Sequence, residues 1–566
     1  MLSGEAMAVL KARYLREGET PEKMFWRVAE YVAEAEALYG GDRQAACQEY
    51  YAIMAGLEFL PNSPALMNAG RKQAQMAACF VLPVDDSLGD IFDTLKHAAL
   101  IHQSGGGTGF SFSRLRPKGD RIAGTNGKAS GPVSFLHVYD AATEVVRQGA
   151  VRRGANMAVL RVDHPDIEEF ITAKRDRTVL NNFNLSVGIT DAFMVAVAQD
   201  RSFALVHPRT GRTVRQVSAR RLFDLMAAMA WENGEPGLFF LDTVNRANPT
   251  PHLGNFEAPN PCSEQPLLPY ESCVLGSVNL AKMVAADGQH LDYDRLSVVV
   301  RRAVRFLDNI IDRNWYPLPA VAEATLRTRK IGLGIMGLAD LFIMLDIPYG
   351  SKQAVLLTAD IMRFITAEAR RESARLAAER GPFPAYPGSI YESSIGPVRN
   401  ATVTTIAPTG TISIIANCSS GIEPLFALAF SRHVLGGQVL ASINPTVLAY
   451  LDKRGLLTTD VEKTIKHQGS VRNTGLPYHV KQVLATAHEI RPIWHVAQLA
   501  AAQRYTDNAV SKTVNLPHKA MPHDVARIFS LAYRSGCKGV TVYRDGSRDQ
   551  QVLVQGVAAN CSLCQE

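Results

Sequence analysis

The chain has 566 residues, 47% of them hydrophobic and 20% charged. These values sit near globular averages and exclude wholesale disorder, a collagen-like repeat and a small disulfide-held scaffold. Lysine and arginine number 60 against 54 aspartates and glutamates, a net charge of +6. That balance demands no nucleic-acid partner and suits a polyanionic small substrate.

The eight cysteines are Cys47, Cys79, Cys262, Cys273, Cys418, Cys537, Cys561 and Cys564. Their ordinary frequency, with no apolar leader near Met1, describes a reduced, cytoplasmic setting. The longest run without Asp, Glu, Lys or Arg, residues 400–422, holds Pro408 and many hydroxyls and is no membrane span.

Residues 1–60 read as a helical N-terminal segment. Thr20-Pro21-Glu22 is a helix start, with a hydroxyl cap, proline in the first turn and an acid behind it. Phe25, Val28 and Val32 follow at helical spacing, and Gly40-Gly41 closes the run. From residue 60 to 132 short apolar runs are broken by Gly, Pro, Asn and Asp. From 132 to 240 strands and helices alternate, with a buried helix over 222–231. Further helices are expected over 291–312 and 354–380, and a short β-branched strand over 403–406. The pattern predicts one large α/β domain over 61–548, followed by a tail, 549–566, carrying a Cys-x-x-Cys pair.

The first segment that carries chemistry is Asn260-Pro261-Cys262-Ser263-Glu264. Pro261 pushes Asn260 into the extended region, and alternation in an extended strand would put residues 260, 262 and 264 on one face. An amide, a thiol and a carboxylate would then stand together. A packed cysteine in a polar loop is the plainer alternative. Cys273 follows 11 residues after Cys262, and Cys79 lies far upstream; nothing in the spacing alone brings Cys79 to Cys273. Residues 402–413 read as a strand, then Pro408-Thr409-Gly410-Thr411, then a helix start whose free N–H groups suit an anion. The run Gly105 to Gly109 is neither a P-loop nor a dinucleotide fingerprint. No Gly-Lys-Ser/Thr follows it, and Phe110-Ser111-Phe112-Ser113 reads as a strand.

Taken in order, Pro61-Asn62-Ser63-Pro64, Ala78-Cys79-Phe80, Asp85-Asp86-Ser87-Leu88, Gly105 to Gly109, Arg152-Arg153-Gly154-Ala155-Asn156 and Asn260 to Glu264 resemble the catalytic chain of ribonucleotide reductase. Gly332 to Gly337, Pro408 to Thr411 and Gly421-Ile422-Glu423-Pro424 continue the match, which covers roughly residues 8 to 548. The resemblance is nearest to the adenosylcobalamin-dependent class II enzymes. It implies a ten-stranded α/β barrel of two five-stranded parallel halves with a central finger loop.

The same resemblance implies a thiyl radical on Cys262, with Asn260 holding the ribose hydroxyls, Glu264 as general base, and Cys79 with Cys273 as the reducing dithiol. Substrate would lie against Ser63, Ala78, Gly107, Pro408, Thr409, Gly410, Thr411 and Ile412. A dNTP effector would meet Asp86, Ser87, Leu88 and Arg116, and Arg152 and Arg153 would sit on a specificity loop. Cys561 and Cys564 would shuttle electrons from a thioredoxin-like reductant, though a Cys-x-x-Cys is also half of a zinc site.

The only Tyr-Tyr pair, Tyr50-Tyr51, stands at the wrong end for the radical relay of class I chains, and the glycyl-radical run of class III is missing. Adenosylcobalamin is therefore the implied radical source, with no metal-ligand set in the chain. The start near the first helix implies no ATP-cone domain, hence no on/off control by ATP and dATP. The implied partners are a ribonucleotide, a dNTP effector, the reductant and a second copy in a homodimer, with no membrane. The alternatives are a class I catalytic subunit that needs a metal partner, and a non-catalytic nucleotide-binding protein on the same scaffold.

Overall fold

The computed structural model describes residues 2–122, 127–147, 154–433 and 439–547. The N-terminal segment forms helices Gly4–Arg13, Pro21–Ala33 and Arg43–Ala55, with a 3₁₀ turn Glu34–Tyr39 between the last two. Thr20 caps the second helix through Lys23 N–H, as its sequence predicts, and Gly40 ends the 3₁₀ turn at φ 69°.

Ten strand positions make the barrel among the described residues. They are β1 (Cys79–Pro83), β2 (Gly107–Ser111), β3 (Asn156–Arg161), β4 (Phe183–Ile189), β5 (Gly237–Phe240), β6 (Ser272–Asn279), β7 (Ile331–Met336), β9 (Thr513–Leu516) and β10 (Gly539–Arg544), with the place of β8 taken by residues 404–406, where the expected strand is reduced to two isolated bridges. β1 to β5 pair parallel in chain order. β6 and β7 pair parallel, single parallel bridges Leu333↔Thr404 and Ile406↔Val510 carry the ladder through β8 towards β9, and β9 pairs parallel with β10. The halves meet antiparallel at both seams, β1 with β6 and β10 with β5. Two parallel halves of five thus close on each other, as the resemblance implies.

Closure leaves no free edge and buries both faces of the strands. Every residue of β3 except Arg161, and all of β6 and β7, is buried. The expected helices run Ala219–Asn233, Tyr293–Arg313 and Lys352–Arg380. The second of these ties the N-terminal segment to the barrel through a buried ionic network. Glu36 accepts hydrogen bonds from Arg305, Asn309, Tyr50 and Arg380, and Asp308 pairs with Arg329 and Arg380. Burial opposes the Glu36 charge, but these donors hold its pKa down at about 2. Removing one member of such a network costs about 3–5 kcal/mol, because a charge is left buried without its partner. Tyr50 of the Tyr-Tyr pair is used here as a structural donor.

Candidate active site

The segment 260–264 is a hairpin tip, not an extended strand. Ala258–Pro259 and Pro266–Leu267 pair antiparallel on either side of it. Asn260 exchanges backbone hydrogen bonds with Gln265 and Ser263, and its Oδ1 accepts a further one from Gln265 N–H at 3.0 Å. Ser263 takes φ 65° to complete the turn. Proline supplies the bend and the asparagine side chain closes it, so alternation of faces does not apply. Asn260, Cys262 and Glu264 nevertheless line one cavity.

Glycines make room for this hairpin inside the barrel. A Cβ on Gly109 would stand 1.8 Å from the Pro259 carbonyl oxygen, and one on Gly107 3.0 Å from Pro261 Cγ. On the opposite wall a Cβ on Gly332 would stand 2.7 Å from Gln265 Nε2. Asn184 donates to the Pro261 carbonyl at 2.8 Å, and Thr405 Oγ1 and Ala509 N–H donate to the Glu264 carbonyl at 2.8 and 2.9 Å. Both barrel halves therefore grip the loop.

Cys79 opens β1 and Cys273 lies on β6, and the antiparallel register sets them directly opposite each other. That pairing is what the spacing alone could not supply. Asn260 Nδ2 donates to Cys79 Sγ at 3.0 Å, joining the dithiol to the hairpin tip. Cys79 and Cys273 are buried, whereas Cys262 is exposed. Burial raises the Cys79 pKa well above that of a free thiol, with Glu264 and the other two thiols adding to the rise. Burial also raises that of Cys273, while Lys330 opposes the rise.

The cavity lined by Cys79 and Cys262 has a volume of about 230 Å³. Ser63, Ala78, Gly107 and the run Pro408 to Ile412, all expected at the substrate, line it. Helices Ser63–Asn68 and Gly410–Ile415 both start at its wall. Asn62 caps the first through Ala65 N–H, and Pro64 has no N–H to offer, so it is the start of the second helix that suits an anion. Thr409 precedes the second helix at φ 56°; its hydroxyl accepts from Gly421 N–H rather than capping the helix. Nothing stands within 4 Å of a Cβ on Gly410, which leaves open space over that helix start. Beneath the glycine loop lies a polar chain that the sequence reading missed. His102 Nε2–H donates to Thr108 Oγ1, which donates to Asn156 Oδ1, and Asn156 donates to Thr143. Burial pushes the His102 pKa down to about 4.

Asp86 and Arg116 meet outside the barrel in an ion pair at 2.9 Å, with Arg209 at 3.7 Å from the same carboxylate. Ser87 caps helix Leu88–Gln103, and Leu88 is exposed at its start. Arg152, Arg153, Cys561 and Cys564 lie outside the described residues.

The family model "Ribonucleotide reductase, barrel domain" matches residues 77–397 and 392–543, and "Ribonucleotide reductase, all-alpha domain" matches residues 1–74. The chain is 46% identical to the vitamin B12-dependent ribonucleoside-diphosphate reductase of Thermoplasma acidophilum, covering 98% of this chain and 81% of that one. The protein of the same description from Mycobacterium tuberculosis is 51% identical, with 98% and 80% covered. The α subunit of the class Id ribonucleotide reductase of Actinobacillus ureae superposes with a TM-score of 0.79 over 96% of this chain and 97% of that one, at 23% identity. The barrel and all-alpha matches together run along nearly the whole chain, and the relatives that share about half of its sequence are described as reductases of ribonucleoside diphosphates. The chain belongs to the ribonucleotide reductase large-chain family.

Proposed function

We propose that the chain reduces ribonucleoside diphosphates to 2′-deoxyribonucleotides in an adenosylcobalamin-dependent reaction. The observation that carries this reading is the set of three thiols. Cys262 stands at the tip of the finger loop, and Cys79 and Cys273 face each other on paired strands beneath it. Relatives that share about half of the sequence and carry the diphosphate and vitamin B12 description support the substrate and the cofactor.

A hollow of about 420 Å³ adjoins the cavity and shares Pro64 and Gly105 with it. Met67, Leu100 and Trp315 give it an apolar surface, and Asn68, Gln73 and Gln103 offer amides. This suits a bulky organic group that carries amide side chains, so these residues would hold the cofactor beside the exposed thiol. When bound, adenosylcobalamin supplies one-electron chemistry through its cobalt–carbon bond.

The helix start at Gly410 binds the diphosphate, with Ser63 and Ala78 beside it, and Asn260 orients the ribose hydroxyls. Cys262, as a thiyl radical, takes the 3′-hydrogen. Glu264, buried behind the thiol, accepts the 3′-hydroxyl proton. Cys79 and Cys273 give up two electrons and two protons, close a disulfide, and let the 2′-hydroxyl leave as water. A dithiol of thioredoxin type restores the pair, relayed by Cys561 and Cys564. A dNTP at Asp86, Ser87, Leu88 and Arg116 sets base choice through the loop that carries Arg152 and Arg153. The enzyme works as a homodimer in the cytoplasm. Among the described residues no helix is long and apolar enough to cross a membrane.

Three single variants test the assignment. Cys262→Ser abolishes product. Cys79→Ser and Cys273→Ser stop steady-state product, because no disulfide can close. Normal turnover by Cys262→Ser would overturn the radical role.

A further inference from the structure

Lys330 and Glu271 form a buried ion pair at 2.5 Å that nothing in the reaction above uses. Lys330 has no exposed surface and Glu271 is 2% exposed. Glu271 Oε2 also accepts from Leu268 N–H at 2.7 Å, and Oε1 accepts from Thr328 Oγ1 at 2.7 Å. The carboxylate is thus fixed by three donors and fixes the ammonium in turn. Burying an ion pair gains little net stability over apolar packing, so the site calls for another reason.

Position supplies one. β6 and β7 pair in the register Val274↔Ile331. One step back along both strands, Lys330 stands beside Cys273. Cys79 is the partner of Cys273 on its other side. A row therefore runs across three neighbouring strands: Cys79, Cys273, Lys330. The Lys330 ammonium lies 4.6 Å from the centre of the Phe256 ring, and Phe256 packs in the same apolar cluster as both thiols. The row is also directional. Among the described residues the substrate cavity is lined by Cys79 and not by Cys273.

We propose that Lys330, fixed by Glu271, is the positioning residue that receives the thiolate of Cys273 when the oxidised Cys79–Cys273 pair is reduced. This rests on the reading of that pair as the reducing dithiol. An incoming thiolate that enters through the cavity can reach only Cys79. Its sulfur bonds to Cys79 Sγ, the Cys79–Cys273 bond breaks, and the electron pair leaves on Cys273 Sγ beside the ammonium. The second thiol of the reductant then attacks the mixed disulfide, releases Cys79 and leaves as a disulfide. Two electrons have moved from reductant to protein, and Cys273 and Cys79 each take a proton. A stabilised leaving thiolate speeds such exchange. The charged and titratable groups that face Cys273 are Lys330, Glu271, Glu264 and Cys79. Lys330 is the one that favours the thiolate.

The full-length protein is oxidised with oxidised dithiothreitol and then reduced with dithiothreitol. Differential alkylation and mass spectrometry follow the Cys79 and Cys273 peptides. The double variant E271Q/K330M removes both charges, so the core keeps no unpartnered carboxylate and folds; K330R keeps the charge. The expected result is that reduction of the pair slows by about tenfold or more in E271Q/K330M, as for a poorer leaving thiolate, and returns to within about threefold of wild type in K330R. Oxidised protein treated briefly with limiting glutathione and quenched with acid is expected to carry the mixed disulfide on Cys79. Equal rates in wild type and E271Q/K330M, or glutathione on Cys273, would overturn the role of Lys330. Failure of Cys79 and Cys273 to cross-link at all would overturn the dithiol reading as well.

Discussion

Gly109 is the tightest point between barrel and finger loop, and substitution there separates loop position from loop chemistry. In Gly109→Ala the new Cβ would meet the Pro259 carbonyl oxygen at 1.8 Å, where real Cβ atoms keep at least 3.0 Å. The two backbones must part by at least 1.2 Å. Gly109 is paired on both sides, to Val81 and Met157. The hairpin rests on side-chain and single backbone hydrogen bonds, so the hairpin gives way. Pro259 precedes Asn260, and the displacement passes directly to Asn260 and Cys262. A misplacement near 1 Å at reacting groups costs about a hundredfold in rate. Gly109→Ala is therefore expected to lower kcat by about a hundredfold or more. Circular dichroism and the melting temperature should stay near those of wild type, and thiol titration should still count Cys79 and Cys273. Deoxyribonucleotide formation read by chromatography supplies the rate. Activity within a few fold of wild type would refute the claim that β2 sets the loop position.

Asp86→Ala or Arg116→Ala removes one side of a half-buried pair outside the barrel; effector binding by calorimetry should weaken and base preference should flatten, while effector-free turnover changes little. His102 gives a pH signature. Its folded pKa of about 4 lies below the ordinary 6.5, so between those values the unfolded chain holds the proton and the folded chain does not. Stability therefore falls as pH drops through that window, by about 2 kcal/mol between pH 7 and pH 5. Urea midpoints at the two pH values should show that loss in wild type but not in His102→Gln, whose amide can still donate to Thr108.

The sequence made the helices legible where caps are local, as at Thr20; its β-branched run 403–406 does join the barrel wall, but through two isolated bridges and not as a full strand. The pairing of Cys79 with Cys273 was out of reach of spacing, because it depends on the antiparallel seam between the two barrel halves. Residues 260–264 misled for a different reason. Pro261 does favour extended backbone before it, but the Asn260 side chain bonds Gln265 N–H and turns the chain back. The wall at Ser63, Ala78 and Pro408 to Ile412 came from motifs. Lys330 and Glu271 carried no sequence signal, since a lysine and a glutamate 59 positions apart declare a buried pair only after β6 and β7 lie side by side.

The central claim is tested most directly by incubating the purified protein with a ribonucleoside diphosphate and dithiothreitol, with and without adenosylcobalamin, and with no second protein present. Deoxyribonucleotide is expected only when the cofactor is added, in an amount matched by thiol consumed. Product that forms without adenosylcobalamin, or only after a separate metal-containing subunit is supplied, would contradict the account.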